Sequence, residues 1–207
     1  MSIKIRKATE TDTKFLAQMI LQSSRAEKKV GMFDFVLGSG SDKELLAKLE
    51  NLTKTKAKNY CHFSNFLIAE IDAKPVGTLC SYEPRIATKQ AFKDSLQEIE
   101  CDQKLDEYEE LLHQCDFEQN NRTLIFDFME EVEGFLDVGI LKALMTKSLL
   151  TARLKGYTIA QSIVEIGSLE TMLFYKKLGF KEKKQKECEE YREKFGRNGL
   201  ALLEIEF

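Results

Sequence analysis

Five cysteines and two histidines are the side chains best suited to metal binding or nucleophilic chemistry in this chain, and their spacing argues against both. Cys61, Cys80, Cys101, Cys115 and Cys188 are odd in number, widely separated and without a Cys-x-x-Cys pair, which fits neither a complete disulfide framework nor a common zinc pattern. Reduced thiols are expected. His113 lies near Cys115, but neither it nor His62 stands at ligand spacing from a cysteine pair, so no metal is expected. No serine or cysteine sits in a Gly-x-Ser-x-Gly nucleophile turn, and a Ser-His-Asp or Cys-His arrangement has no support. Carboxylates remain: an acidic stretch between Ala87 and Glu118, and Asp127, Glu130 and Glu131 at the end of an apolar run. An acidic run repels anions and attracts amines, although a charge-rich helix face is most often simply solvated.

The chain that must position these groups has 207 residues, 43% apolar and 31% charged, with a formal net charge of -3, the balance of a folded globule with an ample core. That charge gives no support for nucleic-acid binding. No apolar run approaches the roughly 20 residues that span a bilayer, so no membrane partner is expected. Met1 to Arg6 alternates apolar and basic residues like a strand, without the apolar stretch of a signal peptide, and a cytoplasmic protein is expected.

Ile3 and Ile5 mark a first strand, and Thr9 to Asp12 supply capping oxygens ahead of Phe15, Leu16, Met19 and Ile20 at helical spacing. The segment from Gly31 to Ser41 carries three glycines among Phe33, Phe35 and Val36, which suits a pocket lining better than a helix interior. Ser41 caps a helix expected over Asp42 to Leu52. Phe66 to Ile71 and Val76 to Tyr82 form a hairpin around Asp72 to Pro75. After the helical, acidic stretch from Ala87 to Glu118, a strand over Thr123 to Met129 leads to a helix over Val138 to Leu154, a strand over Tyr157 to Ile166, and a helix over Ser168 to Leu178 that Gly179 closes. Phe180 opens a strand paired, through a turn near Gly196 to Gly199, with Leu200 to Phe207. The fold class is α/β, mixed α+β, expected as a single domain over residues 1–207 with a central mixed sheet flanked by helices. The strand at Leu200 to Phe207, if an edge, offers a surface for a homodimer.

Val138-Gly139-Ile140-Leu141-Lys142, then Gly156-Tyr157, then Phe174-Tyr175-Lys176-Lys177-Leu178-Gly179-Phe180 together resemble the GNAT N-acetyltransferase superfamily. The element order matches over nearly the whole chain, with residues 87–118 as a helical insertion. The resemblance implies direct, metal-free transfer of an acetyl group from acetyl-CoA, as cosubstrate, to a small-molecule or protein amine. Its alternative is a GNAT-fold module that binds or regulates without transfer.

The same resemblance implies site residues. The pyrophosphate of acetyl-CoA would lie on backbone N–H groups of Val138, Gly139, Ile140, Leu141 and Lys142 at a helix start, where small residues let an anion approach. The family's Gln/Arg-x-x-Gly-x-Gly/Ala reads here Leu136 to Leu141, retaining Gly139. Val132 and Ser168 complete the cofactor-binding set. Tyr175 matches the tyrosine that protonates the departing thiolate, with a core aromatic as its alternative reading. Asp127 and Glu130 rank first among carboxylates placed to take the amine proton. Strict alternation would put Asp127, Met129 and Glu131 opposite Phe126, Phe128 and Glu130, unless the strand bulges.

Overall fold

Alternating apolar positions draw the strands into one seven-stranded mixed sheet in the order β1-β2-β3-β4-β5-β7-β6. The structure, a computed structural model, describes residues 2–120, 122–135 and 139–206. The strands are β1 (Lys4–Lys7), β2 (Phe66–Ile71), β3 (Lys74–Tyr82), β4 (Leu124–Glu131), β5 (Ile159–Glu165), β6 (Lys181–Glu187) and β7 (Gly199–Glu206). The helices are α1 (Thr13–Arg25), α2 (Met32–Leu37), α3 (Asp42–Leu52), α4 (Lys89–Glu98), α5 (Leu105–Cys115), α6 (Ile140–Leu154), α7 (Leu169–Lys177) and α8 (Glu189–Phe195). Only β4 and β5 run parallel; the other pairs are antiparallel. Among the described residues no helix is long and apolar enough to cross a membrane.

Two cores follow from the two faces of the sheet. Leu16, Ile20, Leu45 and Leu49 of α1 and α3 pack with Phe66, Ile68, Ile125 and Phe128 on one face. Ile140, Leu144, Met172 and Tyr175 of α6 and α7 pack with Leu79, Phe126 and Leu203 on the other. Fully burying each such side chain contributes about 1.5–3 kcal/mol, which is what anchors the helices bearing the site. Close approach of α6 requires Gly77, where an added Cβ would stand 2.6 Å from the Ile140 side chain.

The helix over Asp42–Leu52 and the hairpin form where the sequence puts them, with Ser41 Oγ accepting from the Glu44 N–H at 3.3 Å. Four expectations need correction. The glycine-rich segment contains α2, because Gly31 and Gly38 stand at its two ends and leave Phe33, Val36 and Leu37 to make a buried face. A short helix, α8, separates β6 from β7, its Tyr191 and Phe195 falling four residues apart on one buried side. β7 is interior, paired with β5 and β6, so the C-terminal strand is no edge. The edge at that end of the sheet is β6, whose lysine-rich KEKKQKE sequence discourages pairing with another strand. Finally, Cys115 and Cys188 are joined in a disulfide, while Cys61, Cys80 and Cys101 are buried free thiols. Packing of α5 against α8, with Leu111, Phe117 and Tyr191 in one cluster, brings together two cysteines that sequence spacing keeps apart. Such bonds persist in oxidising compartments and are uncommon in the cytosol.

Candidate active site

β4 and β5 pair only through Leu124 with Ala160 and Ile125 with Gln161. Beyond those rungs the strands part, and a cleft of about 1710 Å³ lies between them, lined by residues of both, including Phe128 to Glu131 and Ser162 to Glu165. Pockets for a single small ligand run about 300–1,000 Å³, so this one has room for two substrates.

A bulge in β4 decides which side chains face the cleft. Cys80 of β3 opposes Asp127 and Thr78 opposes Glu130, so that Phe128 and Met129 stand against a single residue. Phe128 takes φ 44°, in the left-handed region. Its carbonyl accepts from Thr78 Oγ1 at 3.1 Å and its N–H donates to Asp127 Oδ1 at 2.8 Å. The extra residue resets the alternation: Ile125 and Phe128 face one core while Phe126 faces the other. Asp127 and Glu130, on either side of the bulge, both line the cleft.

Both carboxyls are tuned toward neutral pH. Burial pushes Asp127 up to about 7, the Phe128 N–H opposing the rise and nearby Asp116 adding to it. Burial likewise pushes Glu130 up to about 7 against hydrogen bonds from Gln22 and Ser23. Gln22 Nε2 donates to Glu130 Oε2 at 2.8 Å and also to the Glu131 carbonyl at 3.2 Å, so α1 fixes the Glu130 carboxylate. Tyr175, on α7, is 3% exposed and packs edge-on against Phe180, ring centres 5.0 Å apart. Burial raises its phenol, Ser162 works in the other direction, and the charges of Asp127 and Glu130 both act on it. The three residues expected to do proton chemistry thus gather around one cleft.

The chain's sequence matches no protein-family model, and no curated protein matches it. Its architecture does have counterparts. The solved structure of an N-acetyltransferase from Staphylococcus aureus Mu50 covers 98% of this chain and 100% of its own, at TM-score 0.71 and 15% identity. An acetyltransferase of the GNAT family from the same organism matches over 99% of each chain at TM-score 0.57 and 16% identity. The chain has the GNAT fold. A third GNAT-like structure, the PaiA N-acetyltransferase from Thermoplasma acidophilum in complex with coenzyme A, covers 100% of both chains at TM-score 0.57 and 15% identity.

The residues expected at the GNAT cofactor end divide unevenly. Val138 lies outside the described residues. Gly139 opens α6 with φ 87° and no side-chain cap, and an added Cβ there would meet nothing within 4 Å. Glycine is thus needed for the backbone conformation, since φ 87° is rare for other residues. Among the described residues the first bond of α6 runs from the Ala143 N–H to the Gly139 carbonyl, and the N–H groups of Ile140, Leu141 and Lys142 precede it at the start of the helix. Ile140 is buried and Lys142 exposed, whereas Leu141 lines the cleft. Ser168 lines it too, and its Oγ is buried without a hydrogen-bond partner. Val132 is tied off: its N–H donates to Val76 and its carbonyl accepts from Phe135. The described part of this end thus offers an unpartnered Ser168 hydroxyl and parted strands, while the Val132 backbone is engaged.

Three groups of the cleft escape the sequence. Gln22 sits on α1 without a distinguishing pattern. Tyr60, Tyr82 and Tyr108 come from a loop, β3 and α5, and converge only in the fold. Asp116, in the acidic insertion, lines the cleft with its carboxyl raised by burial.

Proposed function

We propose that the chain is a single-domain, acetyl-CoA-dependent N-acetyltransferase that moves the acetyl group directly to an amine. The observation that carries this reading is the bulge in β4, which brings Asp127 and Glu130, both near 7, onto one cleft with the Tyr175 phenol. Glu130, oriented by Gln22, takes a proton from the attacking amine as its nitrogen bonds to the thioester carbonyl carbon. Asp127, held on one oxygen by the Phe128 N–H, keeps its other oxygen for the incoming ammonium. Tyr175 gives its proton to the sulfur as the carbon–sulfur bond breaks. The N–H groups at the start of α6 take the pyrophosphate and Ser168 Oγ a polar group of the donor.

A second reading, a GNAT-fold module that binds without transfer, draws on the engaged backbone of Val132. One experiment separates the two: calorimetric titration with acetyl-CoA and CoA, followed by thiol release across a panel of amines. Binding together with amine-dependent release supports transfer. Binding without release by any amine supports the module, and absence of binding overturns both.

A further inference from the structure

One wall of the cleft is aromatic, and α4 and α5, within residues 87–118, contribute two of its five rings. Phe92 of α4 and Tyr108 of α5 meet Tyr60, whose ring stacks on Phe92 at 4.6 Å and whose hydroxyl bonds that of Tyr108 at 3.0 Å. Tyr82 stands 5.9 Å from Tyr60, and Phe128 6.3 Å. All five line the cleft. Among its described lining residues, nine carboxylates face three cationic side chains, Lys89, Lys177 and Arg197. Arg197 is drawn to Glu165 at 3.5 Å, and Lys177 stands in the last turn of α7.

Two acids belong to this wall. Asp127 is bonded by the Phe128 N–H and has no cationic side chain against it among the described residues. Asp116 is bonded by the Phe117 N–H, and its ion-pair partner Lys89 lies 3.6 Å away on a side chain 73% exposed, free to swing into solvent. Both acids line the cleft together with Tyr60, Tyr82, Phe92, Tyr108 and Phe128, so carboxylates and ring faces share one wall.

We infer that the acceptor is an unbranched di- or triamine lacking a carboxylate, its reacting nitrogen beside Asp127 and its distal ammonium on Asp116, and that the insertion selects it. This rests on the transferase reading above. Methylenes pack on the ring faces, and alkylammonium groups gain attraction from the same faces and from the two acids. An acceptor carboxylate would meet an excess of negative charge, since the cations near Asp116 are Lys89, paired with its carboxylate, and Lys186, which donates to its backbone carbonyl.

The test measures N-acetylated product by mass spectrometry for the full chain with spermidine, putrescine, butylamine and lysine at one acetyl-CoA concentration. Spermidine and putrescine should exceed butylamine in kcat/KM by about tenfold or more, the effect of one charge-assisted hydrogen bond, and lysine should fall below putrescine. Asp116→Asn should lower the spermidine-to-butylamine ratio about tenfold, mainly through KM, while Asp116→Glu retains most of it. Thermal shift of the wild-type chain by spermidine, larger than by butylamine, supports the same site without relying on the variant's folding. Equal use of spermidine and butylamine, a preference for lysine, or an unchanged ratio in a folded Asp116→Asn overturns this inference alone. Absence of transfer to every amine overturns it together with the transferase reading.

Discussion

Replacing Asp127 by asparagine should stabilise the protein more as the pH rises, and the size of the gain follows from its position. The carboxyl titrates at about 7 in the fold against an ordinary 3.8, so the folded chain binds this proton more tightly than the unfolded chain does. Stability attached to that proton is fully present below about pH 4, declines as pH rises between the two values, and is lost above about 7. A shift of that size corresponds to about 4 kcal/mol over the whole range and about 3 kcal/mol between pH 4.5 and 8. Part of the side chain faces the cleft, where solvent screens its charge, so about 2 kcal/mol is expected over that interval. Asparagine keeps an oxygen for the Phe128 N–H and carries no charge, and its variant lacks this decline. Urea unfolding of both proteins at the two pH values reads the difference, with equal slopes confirming that the unfolded states match. A variant whose stability relative to wild type is the same at pH 4.5 and 8, or falls with pH, refutes the argument that burial governs this carboxyl. Transfer should weaken in the same variant, so that stability and activity move in opposite directions.

Tyr175→Phe keeps the ring against Phe180 and should slow transfer by about 10²- to 10⁴-fold with unchanged CoA affinity, measured by product formation and calorimetry; a transfer rate equal to wild type removes the phenol from the reaction. With Glu130 and Asp127 both near 7, kcat/KM should rise through about pH 7 as the carboxylates form, and Glu130→Gln should make that limb shallower while lowering the rate by about 10²-fold or more; a limb as steep as wild type's in the variant would assign it to other groups. Reduction of Cys115–Cys188, which closes 73 residues of chain, should lower the thermal midpoint by the equivalent of about 2–4 kcal/mol, and a Cys115→Ser variant should show no further loss on adding reductant.

Elements whose determinants are local were legible. Ser41 ahead of Leu45, Leu49 and Leu52 carries its own cap and its own apolar face, and the pairs around Asp72 and Ala73 need only a two-residue turn with positive φ. Elements set by distant partners were not. Nothing near Cys115 announces Cys188, and the glycines around α2 have the same composition whether they break a helix or bound one. The site divides in the same way: Tyr175 is marked by Phe-Tyr-x-x-x-Gly-Phe, whereas Tyr60, Tyr82, Tyr108 and Asp116 become neighbours only when the insertion folds over β3 and β4.

The orientation of Asp127 and Glu130 is the sharpest case, because it depends on one backbone dihedral at a residue that sequence rules keep out of it. A phenylalanine in the left-handed region is disfavoured by about 1–2 kcal/mol. That cost is offset by the Thr78 hydroxyl on its carbonyl, by Asp127 on its N–H, and by its ring among Phe33, Phe66 and Tyr60. The supports are therefore drawn from the core on one side and the site on the other. Asp127 belongs to both, its Oδ1 accepting from the Phe128 N–H while the residue lines the cleft, so a carboxylate that borders the site also holds the bulge in place.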